Sequence, residues 1–164
     1  KLSFHIINSD EVVKKIYENN LPLLRRLADI FGNDIIKDGT LDRNRLGEIV
    51  FNNNEKLKQL NSIIHPEVIA KCEQLAKPLS VLDAPQLFEA KAQNKCNVII
   101  TVMADKELRA KRITERDGIS CEKAIERINA QLSEKYYIDH ADYIIYNNGE
   151  DIKTQIDKIL EEIL

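Results

Sequence analysis

The chain has 164 residues, 43% of them hydrophobic and 31% charged, which excludes disordered, collagen-like and membrane-spanning classes and fits one ordinary domain. A formal net charge of -3 argues against a protein that coats nucleic acid through bulk charge. Cys72, Cys96 and Cys121 are scattered, with no CxxC or Cys/His spacing, so they predict no metal site and read as packing thiols in a reducing cytoplasm. No signal peptide is expected either, because Lys1-Leu2-Ser3-Phe4-His5 leads straight into mixed polar sequence.

Residues 4–7 form a short apolar run ending at Asn8-Ser9-Asp10, the pattern of a strand running into a helix cap, where a Ser or Asp oxygen accepts the first free N–H groups. Residues 11–18 then carry Val12, Val13, Ile16 and Tyr17 on one helical face. Pro22 suits the first turn of a second helix, with Leu23, Leu24, Leu27, Ile30 and Phe31 as its buried stripe. Asp38-Gly39 marks a turn, and residues 41–51 read as helix. Residues 55–76 are helical with a break expected at His65-Pro66, because proline lacks an N–H and disfavours helix in the residue before it. Residues 79–82 and 97–103 are β-rich without alternation, as in strands covered on both faces. Helices follow at 105–116 and 120–132, each opened by a plausible N-cap, then a strand at 143–145 and a helix striped by Ile152, Ile156, Ile159, Leu160 and Ile163. Strands alternating with helices predict an open parallel α/β sheet, whose ligands bind at the carboxyl ends of strands.

The polar residues at those ends are the candidates for chemistry. Asp10, just past the first strand, can take a proton from a substrate hydroxyl beside a helix N-terminus, or can simply cap that helix. Asp83, ending Val81-Leu82-Asp83, is placed to hold a metal's water shell beside a triphosphate, or to serve as a turn residue. Arg109, Arg112 and Arg116 share a helix face and suit a phosphoryl group, although Asp105, Glu115 and Asp117 can pair with them on an ordinary solvated surface. Arg127 and Gln131 could close over the same place. His65 reads either as a ligand group or as a structural histidine, and Asn147-Asn148-Gly149 as a turn whose amides can also read a nucleobase edge.

Several of these segments together resemble the dephospho-CoA kinase family. They are Asp10-Glu11-Val12-Val13, the run Gly39-Thr40-Leu41-Asp42-Arg43 through Phe51, Leu60-Asn61-Ser62-Ile63-Ile64-His65-Pro66, and Leu82-Asp83-Ala84-Pro85-Gln86-Leu87-Phe88-Glu89. Arg112 with Arg116-Asp117-Gly118, Arg127-Ile128-Asn129-Ala130-Gln131, and Ala141-Asp142-Tyr143-Ile144-Ile145 continue the likeness. The resemblance implies a three-layer P-loop kinase-like parallel sheet with a helical CoA-binding insertion at about residues 37–78 and a lid at about 105–135, all within one domain spanning residues 1–164. It implies ATP and Mg²⁺ as cofactors, dephospho-CoA and ATP as partners, and transfer of the ATP γ-phosphoryl group to the ribose 3′-hydroxyl. Asp10 is then the residue that activates the hydroxyl, with Arg112 and Arg116 on the phosphoryl group. Arg43, His65, Pro66, Asp83, Pro85, Leu87, Phe88 and Glu89 are expected on the acceptor, and Arg112 and Asn147 at the nucleotide. Arg109 has no counterpart to lend it a role.

Three departures accompany the likeness. Asn8-Ser9-Asp10 stands where the family usually reads Asp-Ala-Asp, and Gln86 replaces a common leucine, a change expected to be minor. The family's opening strand, its glycine-rich GxxGxGK[ST] loop and the helix after it are not among these 164 residues. The first, central strand of the sheet is therefore expected to be missing, and these residues alone are expected to show negligible kinase turnover and weak ATP binding. A non-catalytic CoA-binding protein and a kinase acting on another nucleoside remain the alternative readings.

Overall fold

A strand that meets a helix head-on needs a residue that belongs to both. A computed structural model, describing residues 3–51 and 53–164, shows that residue to be Asn8. The reading of Lys1-Leu2 at the opening lies outside the described residues. The chain divides into two compact units, Lys1–Lys95 and Cys96–Leu164.

In the first unit β1 (His5–Asn8) runs directly into α1 (Ser9–Asn19). The cap is Asn8, not the serine or aspartate expected: its side chain accepts from the backbone N–H groups of Asp10 and Glu11, which leaves the Asp10 carboxylate uncommitted to capping. α2 (Leu21–Phe31) starts at Asn20, whose side chain accepts from the Leu23 N–H, with proline in the first turn as predicted. Its buried stripe takes Ala28 in place of Ile30, which is exposed. After a single 3₁₀ turn at Asn33–Ile35, two-residue strands β2 (Ile36–Lys37) and β3 (Thr40–Leu41) pair antiparallel. Asp38 (φ 52°) and Gly39 (φ 76°) both sit in the left-handed region, the requirement of a tight two-residue hairpin turn, so Leu41 is strand and not helix.

Next come α3 (Arg43–Phe51) and α4 (Asn54–Leu75), the latter unbroken through Pro66. The expected break does not occur because Leu60, Ile63, Ile64 and Cys72, on both sides of the proline, are buried in one core that also receives α1 and α3. Burial of a large aliphatic side chain is worth roughly 1.5–3 kcal/mol, so Leu60, Ile63 and Ile64, with Cys72 beyond the proline, outweigh the one hydrogen bond that Pro66 removes. β4 (Ser80–Asp83) closes the unit's sheet, parallel to β1 in a register from His5↔Ser80 to Asn8↔Asp83. Leu27, Ile35 and Val50 are the most deeply buried large side chains of this unit.

The second unit contains β5 (Ile100–Met103), α5 (Lys106–Asp117), α6 (Cys121–Asn129), α7 (Glu134–His140), β6 (Tyr143–Tyr146) and α8 (Ile152–Ile163). β5 and β6 are parallel, registered from Ile100↔Tyr143 to Met103↔Tyr146. Ala110, Ala124 and Ile128 form the small buried cluster where α5 meets α6. Ser120 caps α6 as expected, whereas Asp105, at the start of α5, makes no side-chain capping bond. α7 is an addition to the elements that the apolar pattern predicts.

The architecture is the predicted mixture of helices and parallel strands, but the strands are not covered on both faces. α1 packs on β1 and α8 on β6, while Ile6, Val81, Ile100 and Val102 remain exposed, so burial along β1, β4 and β5 is uneven. Ile152 and Ile156 in the stripe of α8 are likewise exposed and Ile159 is buried. Among the described residues no helix is long and apolar enough to cross a membrane.

Candidate active site

The carboxyl ends of β1 and β4 bring Asn8 and Asp83 side by side. Asn8 Nδ2 donates to Asp83 Oδ2 at 3.0 Å, while Asn8 Oδ1 accepts from Asp10 N at 3.0 Å and Glu11 N at 3.1 Å. One amide therefore links the end of β4 to the first turn of α1. Asp10 itself is exposed on that turn, free to meet a ligand at the strand ends.

Past β4, Ala84 to Lys91 folds into consecutive turns, with Leu87 N donating to Ala84 O at 3.2 Å and Ala90 N to Gln86 O at 2.9 Å. Pro85 lies exposed on this segment, Leu87 and Glu89 are half-buried, and Phe88 is 7% exposed, so Phe88 shapes the turn from within. His65 on α4 is half-buried, and burial lowers its pKa from the usual histidine value. A hydrogen bond with the Gln86 side chain and the charge of Glu89 oppose that shift. Gln86, expected to be a minor change, is thus a partner of His65. Pro66 next to it is exposed.

Arg43 opens α3 beside the β2–β3 hairpin and lines an open depression of about 440 Å³ with Lys37, Thr40 and Asn44. Its guanidinium carbon sits 5.5 Å from the centre of the Tyr17 ring on α1. Burial pushes the Tyr17 phenol up from its ordinary pKa, and the Arg43 charge works against that rise. Tyr17 is the residue of this site that the sequence left in the core pattern. An aromatic in the third turn of α1 gives no hint that an arginine from α3 will lie over it.

In the second unit the three arginines of α5 do not converge. Arg109 donates to Gln131 and, at 3.3 Å, to Glu134; Arg112 donates to Asn147 Oδ1 at 3.4 Å. Arg116 forks onto its neighbour Asp117 at 2.7 and 3.0 Å, and Arg127 reaches the same carboxylate at 2.6 Å. The hydrogen bond from Arg116, with the charges of both arginines, holds the Asp117 carboxyl below the usual carboxylate range. Of the competing acidic partners, Asp117 takes an arginine, Glu115 meets Lys111 at 3.9 Å, and Asp105 turns to Asn148. The two residues expected at the nucleotide, Arg112 and Asn147, are the pair the fold does bring together.

Parallel strand pairs joined through helices, with carboxylates at the ends of one pair and three separately partnered arginines on α5, fit an α/β protein of the P-loop kinase-like class. The model of the dephospho-CoA kinase family matches residues 1–153. The dephospho-CoA kinase of Carboxydothermus hydrogenoformans is 38% identical, over 99% of this chain and 84% of its own. A crystal structure from Thermus thermophilus superposes with a TM-score of 0.79 at 28% identity, covering 99% of this chain and 86% of that one. The dephospho-CoA kinase from Campylobacter jejuni does so with a TM-score of 0.65 at 32% identity, covering 98% and 85%. The chain belongs to the dephospho-CoA kinase family.

Proposed function

We propose that this chain holds dephospho-CoA as the acceptor of the γ-phosphoryl group of ATP. The observation that carries the reading is the Asp83–Asn8–α1 linkage, which sets an uncommitted carboxylate, Asp10, at the carboxyl end of a parallel strand pair. Asp10 takes the proton of the ribose 3′-hydroxyl as that oxygen bonds to phosphorus and the bond to the ADP leaving group breaks. Arg43, backed by Tyr17, is suited to a phosphate of the acceptor, since a guanidinium binds phosphate with a fork of donors. His65, Pro66 and the turn carrying Pro85, Leu87 and Glu89 contact the remainder of the acceptor, with Phe88 supporting that turn from the interior.

Mg²⁺-ATP supplies the phosphoryl group and neutralises charge on the nucleotide's phosphates. The exposed Asp83 carboxylate is a hard oxygen donor of the kind that holds Mg²⁺ through its water shell. Arg112 and Arg116 meet the charge of the transferring group, and Asn147 reads the adenine. Residues 37–78 act as the acceptor-binding insertion and 105–135 as a lid. Three free thiols, Cys72, Cys96 and Cys121, suit a reducing cytoplasm.

Calorimetric titration tests the acceptor assignment. Dephospho-CoA is expected to bind with one-to-one stoichiometry, and Arg43→Ala to weaken it roughly tenfold through loss of a charge-assisted hydrogen-bond donor. Absence of saturable binding by the unaltered chain overturns the reading.

A further inference from the structure

We infer that Asn8 is a positioning residue: its side-chain amide is a splint between Asp83 and α1 that fixes where the Asp10 carboxylate is carried. This deepens the function proposed above and rests on it.

Both ends of the amide are in use. The oxygen caps α1 at the Asp10 and Glu11 N–H groups, and the nitrogen donates to Asp83 Oδ2 at 3.0 Å. Asn8 is also the ladder partner of Asp83 in the β1–β4 register, so the backbone and the side chain tie the same two positions. Capping alone does not require asparagine, because aspartate and serine cap helices comparably well. The donor to Asp83 does require it among good caps of this length. A carboxylate accepts only, and at position 8 it would set two negative oxygens at hydrogen-bond distance. A serine hydroxyl is too short to span the strand pair while it caps. Asp10 follows Asn8 by two residues and its own N–H is one of the two that Asn8 holds. Any swing of the cap therefore moves the residue that accepts the substrate proton.

The test compares Asn8→Asp, Asn8→Ser, Asp83→Asn and the exchanged pair Asn8→Asp/Asp83→Asn in the full chain, by thermal midpoint and by calorimetric affinity for dephospho-CoA. Asn8→Asp keeps the cap but is expected to lower the midpoint by about 2–4 °C and the affinity roughly fivefold. Asn8→Ser is expected to lose affinity to a similar degree without the added repulsion. In the exchanged pair the amide introduced at position 83 can donate to the carboxylate introduced at position 8, so both readouts are expected to recover beyond the product of the single effects.

Wild-type midpoint and affinity in Asn8→Asp would reduce Asn8 to an ordinary cap. Independent effects in the exchanged pair would remove the splint. A midpoint that recovers while affinity is the same in every variant would leave a structural bond and refute the positioning role. Failure of the unaltered chain to bind dephospho-CoA would overturn the functional reading and the positioning role together, with the thermal cycle still deciding whether the splint exists.

Discussion

The two parallel strand pairs close their carboxyl ends with the same chemistry in opposite arrangements. At the end of β1–β4, Asn8 caps its own helix and also donates to Asp83. At the end of β5–β6, Asn148 donates to Asp105 Oδ1 at 3.0 Å and accepts from Asp105 N at 2.9 Å, so the aspartate that stands at the N-cap position of α5 is turned away from its helix. An asparagine thus braces an aspartate in both places, yet only the first arrangement completes a helix cap. The β1–β4 end is the better determined of the two, and it carries the proposed general base. The other joins the start of α5 to the loop holding Asn147, the residue that meets Arg112.

The largest way to disturb this contrast lies in the core that receives β1. Leu27 is fully buried in the core that receives Ile7. Leu27→Ala is expected to cost about 3 kcal/mol in denaturant unfolding, with faster amide exchange along β1. No change in stability would show that the core does not support that strand end.

Next come the asparagines themselves. Asn8→Ala removes a cap and a bond to a carboxylate and is expected to cost about 2 kcal/mol. Asn148→Ala is expected to cost about 1 kcal/mol or less, because the released Asp105 carboxylate can take over the capping of α5. Equal losses in chemical denaturation would erase the distinction between the two ends.

The smallest effect is at His65, whose folded pKa is depressed by burial. The unfolded chain then binds the proton more readily, so stability present above the ordinary histidine pKa of about 6.5 is lost as pH falls through the lower folded value. His65→Gln is expected to flatten that decline. Thermal midpoints between pH 7 and pH 5 check it, and a parallel decline in both proteins would remove His65 as its source.

The order of strands and helices is legible in the sequence because apolar spacing marks α1, α2 and α8, and Pro22 marks the start of α2. Pro22 behaves as its local sequence predicts and Pro66 does not, although both are the same residue type. At a first turn the missing N–H is of no consequence, whereas in α4 the outcome rests on distant packing that no local pattern encodes. β2 and β3 are two residues each, too short for a period, and α7 buries none of its residues and so leaves no stripe. At the site, the sequence singles out Asp10 and Asp83 as separate candidates. It does not reveal that Asn8 joins them, since their positions differ by more than seventy residues and only the β1–β4 register brings them together. The arginines of α5 share a face by spacing, but spacing is silent on their different partners.

The Arg43–Tyr17 stack gives the molecule a built-in optical reporter. The chain has five tyrosines and no tryptophan, so its ultraviolet emission is tyrosine emission undimmed by energy transfer to an indole. A phosphate that draws the Arg43 guanidinium off the ring changes the charge against one of those five fluorophores. Occupancy of the hairpin depression can therefore be followed by light, without a label.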